Sequence, residues 1–169
     1  YNDVRRFGFF KIYKTTKLQK IPFIKKLGLE PLSKFFNSKY FEKLIENKKI
    51  NIKNLLMNQT FVSGLGNIYV NEALFMSRIH PLRISHSLNT LELKMLVLNI
   101  KSILKLAISK GGSSIKDFKS ISGKSGTFQQ FFKVYGKKNK NCSRISCTGK
   151  IEKISISNRS SFFCNTCQN

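Results

Sequence analysis

Phe61-Val62-Ser63-Gly64-Leu65-Gly66-Asn67-Ile68-Tyr69 runs on through Asn71-Glu72-Ala73-Leu74-Phe75 to Ile79-His80-Pro81. Glycines in a turn let the backbone take positive φ and carry its N–H groups close to a partner. The residues that follow predict a helix from Asn67 to about Arg78, stopped before Pro81. Its first turn would offer unpaired amides and the positive end of the helix dipole, where a phosphate fits. Asn67 stands where it either caps that helix or donates an amide hydrogen bond to the phosphate. The plainer alternative is a turn that only joins two packed helices.

Upstream, Ile52 to Met57 is a short helix candidate. Phe35, Phe36, Tyr40, Phe41, Leu44 and Ile45 recur at helical spacing behind Pro31, which predicts an amphipathic helix over 31–47. A basic loop precedes it from Thr15 to about Gly28. Residues 1–14 alternate roughly, with Phe7, Phe9, Phe10 and Ile12, and predict a strand with Gly8 as a bulge. Downstream, Thr90 to Lys110 is the clearest helix, with Asn89 and Glu92 as a capping box and Gly111-Gly112 ending it. A Gly-, Ser- and Lys-rich loop fills Gly111 to Gly126. Short β-type segments then follow at Phe128–Tyr135, Lys150–Ser157 and Ser160–Cys164. No internal repeat is visible, and the fold class is mainly α with a small β module.

Apolar residues make up 41 % of the 169, and fifteen are Phe. That suffices for one ordinary domain or two small ones. Lys and Arg number 31 against eight Asp and Glu, a net charge of +23. Codon drift in an AT-rich genome would enrich Lys, but it would raise Glu too, so the scarcity of acids is the more telling half. Such a surface attracts polyanions, nucleic acid first and an anionic membrane surface next. No apolar run approaches the ~20 residues that span a bilayer. Tyr1-Asn2-Asp3-Val4-Arg5-Arg6 does not resemble a signal peptide. It reads as mid-protein sequence, which predicts a fragment or a processed product.

All four cysteines fall in the last 28 residues, as Cys142-x4-Cys147, sixteen intervening residues, then Cys164-x2-Cys167. Thiolates two to four residues apart can fill two corners of a tetrahedron, and a hairpin turning near Asn158-Arg159 would bring two such pairs together. The alternative is two disulfides or four ordinary thiols, which nothing pointing to secretion favours. The spacing predicts one structural zinc. Four thiolates leave no open position for water, so the metal would hold together a module too small for its own core.

At this point the chain resembles a family, the bacterial formamidopyrimidine-DNA glycosylases. Gly64 to Tyr69 with Asn71 to Phe75 and Ile79-His80-Pro81 is similar to their helix–two-turn–helix motif. Arg5-Arg6-Phe7-Gly8 resembles the end of their N-terminal β-sandwich, and Leu27-Gly28-Leu29-Glu30-Pro31-Leu32 their interdomain segment. Gly111-Gly112-Ser113-Ser114 with Lys116-Asp117-Phe118 resembles their loop over the lesion, and the cysteine hairpin ending in Gln168 their zinc finger. The resemblance implies three parts. Residues 1–28 would be the last strand of a truncated β-sandwich plus linker, 29–126 the helix–two-turn–helix domain with its lesion loop, and 127–169 the zinc finger.

It also implies base excision repair of oxidised purines, by a DNA glycosylase that is also a lyase cutting by β,δ-elimination. The base must leave the duplex for its glycosidic carbon to be reached. The family's nucleophile is an N-terminal proline with a glutamate beside it. This chain starts downstream of both, so it is expected to bind damaged DNA without cleaving it. The implied DNA contacts are Arg5 and Phe7, filling the gap left by the flipped base, and Arg6 on a phosphate. Lys48, Lys49 and Lys53 resemble a basic segment on phosphates, and Asn67 the phosphate-binding asparagine. Arg159 resembles the arginine that grips the lesion phosphates, to which the family pattern also gives a proton-donor role in δ-elimination; its high pKa favours the phosphate role. Ser113, Ser114 and Lys116 belong to the lesion loop, and Cys142, Cys147, Cys164 and Cys167 hold Zn2+.

The implied partner is double-stranded DNA with oxidised purines or abasic sites. A monomer is expected, with no membrane contact, in the bacterial cytoplasm beside the nucleoid. The sequence departs from the family in the four-residue spacing of the first cysteine pair and in Thr127, where some relatives have tyrosine. Rival readings are an endonuclease VIII-like enzyme for oxidised pyrimidines, a non-catalytic zinc-containing DNA-binding protein, and, on charge alone, an RNA-binding protein.

Overall fold

The computed structural model describes residues 6–113 and 126–169. A 3-10 turn (Thr15–Lys20) leads to the short helix α1 (Pro22–Lys25), then α2 (Ser38–Ile45), α3 (Ile52–Met57), α4 (Asn67–Met76) and α5 (Thr90–Ser109). A 3-10 turn (Phe128–Phe131) precedes one antiparallel hairpin, β1 (Ile151–Ile156) with β2 (Arg159–Cys164). The chain is thus mainly helical with a small β module at its end.

α4 is the central helix. Val70 to Phe75 are buried on every side, because α3, α5 and β2 all pack against it. A helix buried on every side lies in the core, and the polar Asn71 and Glu72 within it must find partners there. The larger core joins Phe36, Phe41, Leu56, Leu74, Leu96 and Ile100, and it also takes Phe128 and Phe132. A smaller one joins Phe75 of α4 to Val134, Ile151 and Phe162 beside Cys142 and Cys164. Phe75 therefore ties the helices to the cysteine hairpin.

The capping box of α5 forms as expected: Glu92 N donates to Asn89 Oδ1 and Asn89 N to Glu92 Oε2, both at 2.9 Å. The helix expected over 31–47 begins later, because residues 31–37 are turns. Asn37 accepts from Tyr40 N at 3.0 Å, and Phe36 before it sets its ring edge-on to Phe41 at 5.2 Å. An N-cap with an apolar residue before it, packed on the fourth helical position, is a stronger start than Pro31 alone.

Two expected β segments do not form. Residues 7–14 have no strand structure, and Phe7, Phe10 and Ile12 are 88, 73 and 85 % exposed. A strand exists through its partner, and none lies beside them among the described residues. Residues 128–135 form the 3-10 turn and its exit, because the Glu72 carboxylate takes the amides of Lys133, Val134 and Tyr135. The hairpin turn is Ser157-Asn158, one residue earlier than expected. Both take left-handed φ, 48° and 59°, as a two-residue turn matching the strand twist requires. Arg159 is therefore the first residue of β2, paired with Ile156.

Candidate nucleic-acid interface and metal centre

The Gly-rich turn is shaped by Gly64, at φ 76°, whose N–H donates to Gln59 Oε1 at 2.7 Å. Gly66 occupies the N-cap of α4 and brings no capping side chain. The first intrahelical bond runs from Val70 N to Gly66 O. Nothing among the described residues accepts from the amides of Asn67, Ile68 or Tyr69, so the start of α4 keeps its donors and dipole end available for an anion. Asn67 does not cap the helix. Its Nδ2 donates to Ser160 O on β2 at 3.1 Å, which sets the hairpin tip beside the Gly-rich turn.

α3 completes this junction. Lys53, expected with Lys48 and Lys49 in a basic segment on phosphates, is buried at 1 % exposure. Its Nζ donates to Ser160 O at 3.0 Å and to Ser161 Oγ at 2.5 Å. Burial, with the Arg159 guanidinium adding to it, brings its pKa down to about 8. Its backbone explains the inward aim: α3 is six residues long, capped by Asn51, and turns its Lys53 face toward the hairpin. Ser157 Oγ adds a bond to Asn54 Oδ1 at 3.1 Å. Arg159, one residue past the turn, is exposed. Arg159, Asn67 and the start of α4 are thus brought to one face.

Lys49 is exposed, and Lys48 is half-buried with its ammonium 5.4 Å from the centre of the Phe61 ring. Arg6 and Phe7 are exposed. Ser113 pairs with Thr127 at the root of the loop expected to cover a lesion, and its hydroxyl is buried with no partner among the described residues. Arg5, Ser114 and Lys116 lie outside the described residues. Beside this root, a cavity of about 480 Å³ opens between Ser63, Gly64 and Tyr69 on one side and Ala107, Gly111 and Gly112 on the other.

The four cysteine sulfurs lie within 4.8 Å of one another. Cys142 and Cys167 are 3.8 Å apart, Cys147 and Cys164 3.7 Å. A tetrahedron with metal–sulfur bonds of ~2.3 Å has sulfur–sulfur edges of ~3.8 Å. The cysteines therefore fit one tetrahedral cation, whereas a disulfide would need sulfurs at ~2.0 Å. Burial pushes the Cys167 thiol up to about 12, with Cys164 and Cys142 adding to it; a cation at the centre removes that penalty by holding thiolates. The four-residue spacing of the first pair closes through Ser146 in left-handed φ, 63°.

Several residues that hold the finger escaped the sequence reading as polar anchors. Asn71 Oδ1 accepts from Phe162 N at 2.6 Å. Gln168 accepts from Cys164 N at 2.8 Å and donates to Ile79 O at 2.7 Å. Arg144, between the first two cysteines, donates to the carbonyls of Phe75 and Met76 at the end of α4. That is a cation on the negative end of a helix. Glu72 is the fourth. Asn71, Glu72 and Gln168 stood inside family-like motifs, but only their burial shows this role.

A basic helical domain built on a Gly-rich helix start, with a four-cysteine hairpin bolted to it, defines a helix–two-turn–helix protein with a metal-type finger. Residues 27–119 match the formamidopyrimidine-DNA glycosylase H2TH domain, more than half of the chain. The chain belongs to that family.

Among its relatives, the formamidopyrimidine-DNA glycosylase of Bartonella tribocorum is 45 % identical over 174 residues, which cover 99 % of this chain and 59 % of the relative. That of Wolbachia pipientis is 45 % identical over 169 residues, covering 100 % and 61 %. The chain thus spans about three-fifths of the length of these relatives. Among solved structures, a Lactococcus lactis Fpg in complex with abasic-site DNA superposes with TM-score 0.90 at 37 % identity, covering 99 % of this chain and 60 % of that one. The MutM (Fpg) protein of Thermus thermophilus gives 0.88 at 34 %, covering 98 % and 62 %.

Proposed function

We propose that these residues are the damage-recognition part of a formamidopyrimidine-DNA glycosylase acting in base excision repair of oxidised purines. The observation that carries the reading is the junction at Ser160: Asn67 and Lys53 both bind its carbonyl, so the open amides of α4 and the exposed Arg159 face one partner. Two anion sites held at fixed separation suit neighbouring phosphates of a kinked strand. The cavity beside Gly111-Gly112 is where an extruded base would lie. The Lactococcus lactis relative was solved on abasic-site DNA, which supports the same partner here. Arg6, Phe7, Lys48 and Lys49, all accessible or half-accessible, would contact the duplex, with Arg5 and the Ser113, Ser114, Lys116 loop reaching the lesion.

The cysteines would hold one Zn2+ as a structural ion, closing the finger that carries Arg159. Bond cleavage is assigned to an amine that the family supplies from its N-terminus, and recognition to the residues described here. Residues 29–126 and 127–169 would work as two parts of one binding surface.

The test is binding of a duplex carrying an abasic-site analogue, titrated with salt. The parent should bind, and borohydride should trap no covalent adduct with these 169 residues and oxidised-guanine DNA. Arg159→Ala should lower the slope of log affinity against log salt by about 0.9, one phosphate's worth. If Arg159→Ala binds as tightly as the parent at every salt concentration, the hairpin tip is outside the interface. A trapped adduct would overturn the assignment to recognition alone.

A further inference from the structure

Lys53 is the one Lys or Arg that is buried among the described residues. A buried ammonium normally sits against a carboxylate. Here both acceptors are neutral, the Ser160 carbonyl and the Ser161 hydroxyl. The charged groups around it do not supply the missing negative charge. α3 has no other ionisable residue. On β2, Arg159 faces it and repels it. On α4, Glu72 is turned away to the amides of residues 133–135. In the segment after α4, where Pro81 O accepts from Lys53 N, Arg83 is paired with Glu92 and His80 is held against Phe163. Lys153 and Glu152 on β1 are exposed.

We propose that Lys53 is a positioning residue for the DNA contact, locking the hairpin tip to the start of α4 and drawing its counter-charge from the neighbouring phosphates that Arg159 and Asn67 hold. The inference rests on the DNA-binding reading above and deepens it. Lys53 touches no DNA itself; its amino group is enclosed. It fixes Ser160, the residue between Arg159 and the strand, and shares that carbonyl with Asn67. The separation of the two phosphate-holding side chains thus depends on the ammonium.

A pH dependence follows. Without DNA, burial and Arg159 hold the Lys53 pKa at about 8. A phosphate at the tip offsets the Arg159 repulsion and raises that value, so the bound state prefers the protonated lysine. Binding then takes up protons near and above pH 8. Affinity is full below the free value and falls as pH rises from it through the bound value. For a rise of ~1 unit, affinity should drop roughly sevenfold between pH 7 and pH 9.5.

The experiment compares the parent chain with Lys53→Met, similar in length but uncharged, on one abasic-analogue duplex at constant ionic strength and constant metal content. The parent should lose affinity over that pH range. Lys53→Met should be flat and sit near the parent's high-pH value, while Lys94→Met, at an exposed position on α5 away from the proposed contact, keeps the parent's profile. Should Lys53→Met fail to fold, proton uptake by the parent decides the matter, measured calorimetrically at pH 8.5 in two buffers of different ionisation heat. A flat parent profile with no proton uptake, or a Lys53→Met profile as steep as the parent's, overturns the role of Lys53 and leaves DNA binding standing. A parent that binds no duplex at any pH refutes the DNA reading, and this inference with it.

Discussion

Replacing Glu72 by glutamine tests how the finger is fixed to the helices. Glu72 is 3 % exposed. Its Oε1 accepts from Val134 N at 3.0 Å and Tyr135 N at 2.9 Å, and its Oε2 from Lys133 N at 2.8 Å. Three amides thus converge on one carboxylate inside the protein. Glu72→Gln keeps the shape and leaves no cavity, but the amide offers one oxygen and an NH2. In its best orientation the oxygen keeps Val134 and Tyr135, now without charge assistance. The NH2 then faces the Lys133 N–H, donor against donor. A charge-assisted bond contributes ~1.5–3 kcal/mol and a neutral one ~1, and the stranded donor carries its own desolvation cost. Losing one bond and weakening two should destabilise the junction by about 2–4 kcal/mol. At ~2–4 °C per kcal/mol for a chain of this size, Tm should fall by about 5–15 °C. Exchange of the Lys133, Val134 and Tyr135 amides should quicken more than that of the α5 core, because the break is local. The reasoning is refuted if Glu72→Gln loses less than ~0.5 kcal/mol and those three amides exchange at the parent rate.

Two further outcomes are expected. Protein purified without chelator should contain about one zinc per chain, as one tetrahedral four-sulfur site requires, and Cys164→Ser should lower it; four free thiols and no metal would remove the ion from the account. Asn67→Ala removes both the bond to Ser160 O and a neutral donor to phosphate, so binding should weaken by ~1 kcal/mol with the salt slope nearly unchanged, and a changed slope would show that charge had moved with it.

The parts of the fold written in short local patterns were legible in the sequence. Asn89 and Glu92 announced the start of α5, and the cysteine spacing announced the hairpin. What failed was the weighing of competing local signals. Pro31 and a run of aromatics suggested a helix, but Asn37 with Phe36 and Phe41 makes the better start. Residues 7–14 carry a strand's alternation, yet a strand needs a partner's ladder. At the site, Arg159 and Asn67 were legible as a pair only through the family resemblance, because 92 positions separate them. What links their places in the fold is Ser160, an unremarkable residue next to Arg159 whose backbone oxygen accepts from Asn67.

The scarcity of acids looks different once their partners are known. Glu72 serves three backbone amides, and Glu92 serves a helix cap and Arg83. Glu152 accepts from Asn165 in the finger. Arg83–Glu92 is the only ion pair among the described residues, in a chain with 31 Lys and Arg. The basic surface is therefore little neutralised from within, and these three acids are engaged by backbone amides, a helix cap with Arg83, and a finger side chain. Counterion release on binding a phosphate backbone then acts almost undiminished. Lys53 departs from that pattern in the opposite sense. The resemblance groups it with Lys48 and Lys49 as a basic segment, yet its ammonium is buried on the Ser160 carbonyl and the Ser161 hydroxyl with no acid beside it, so its charge holds the hairpin tip and does not add to the open surface.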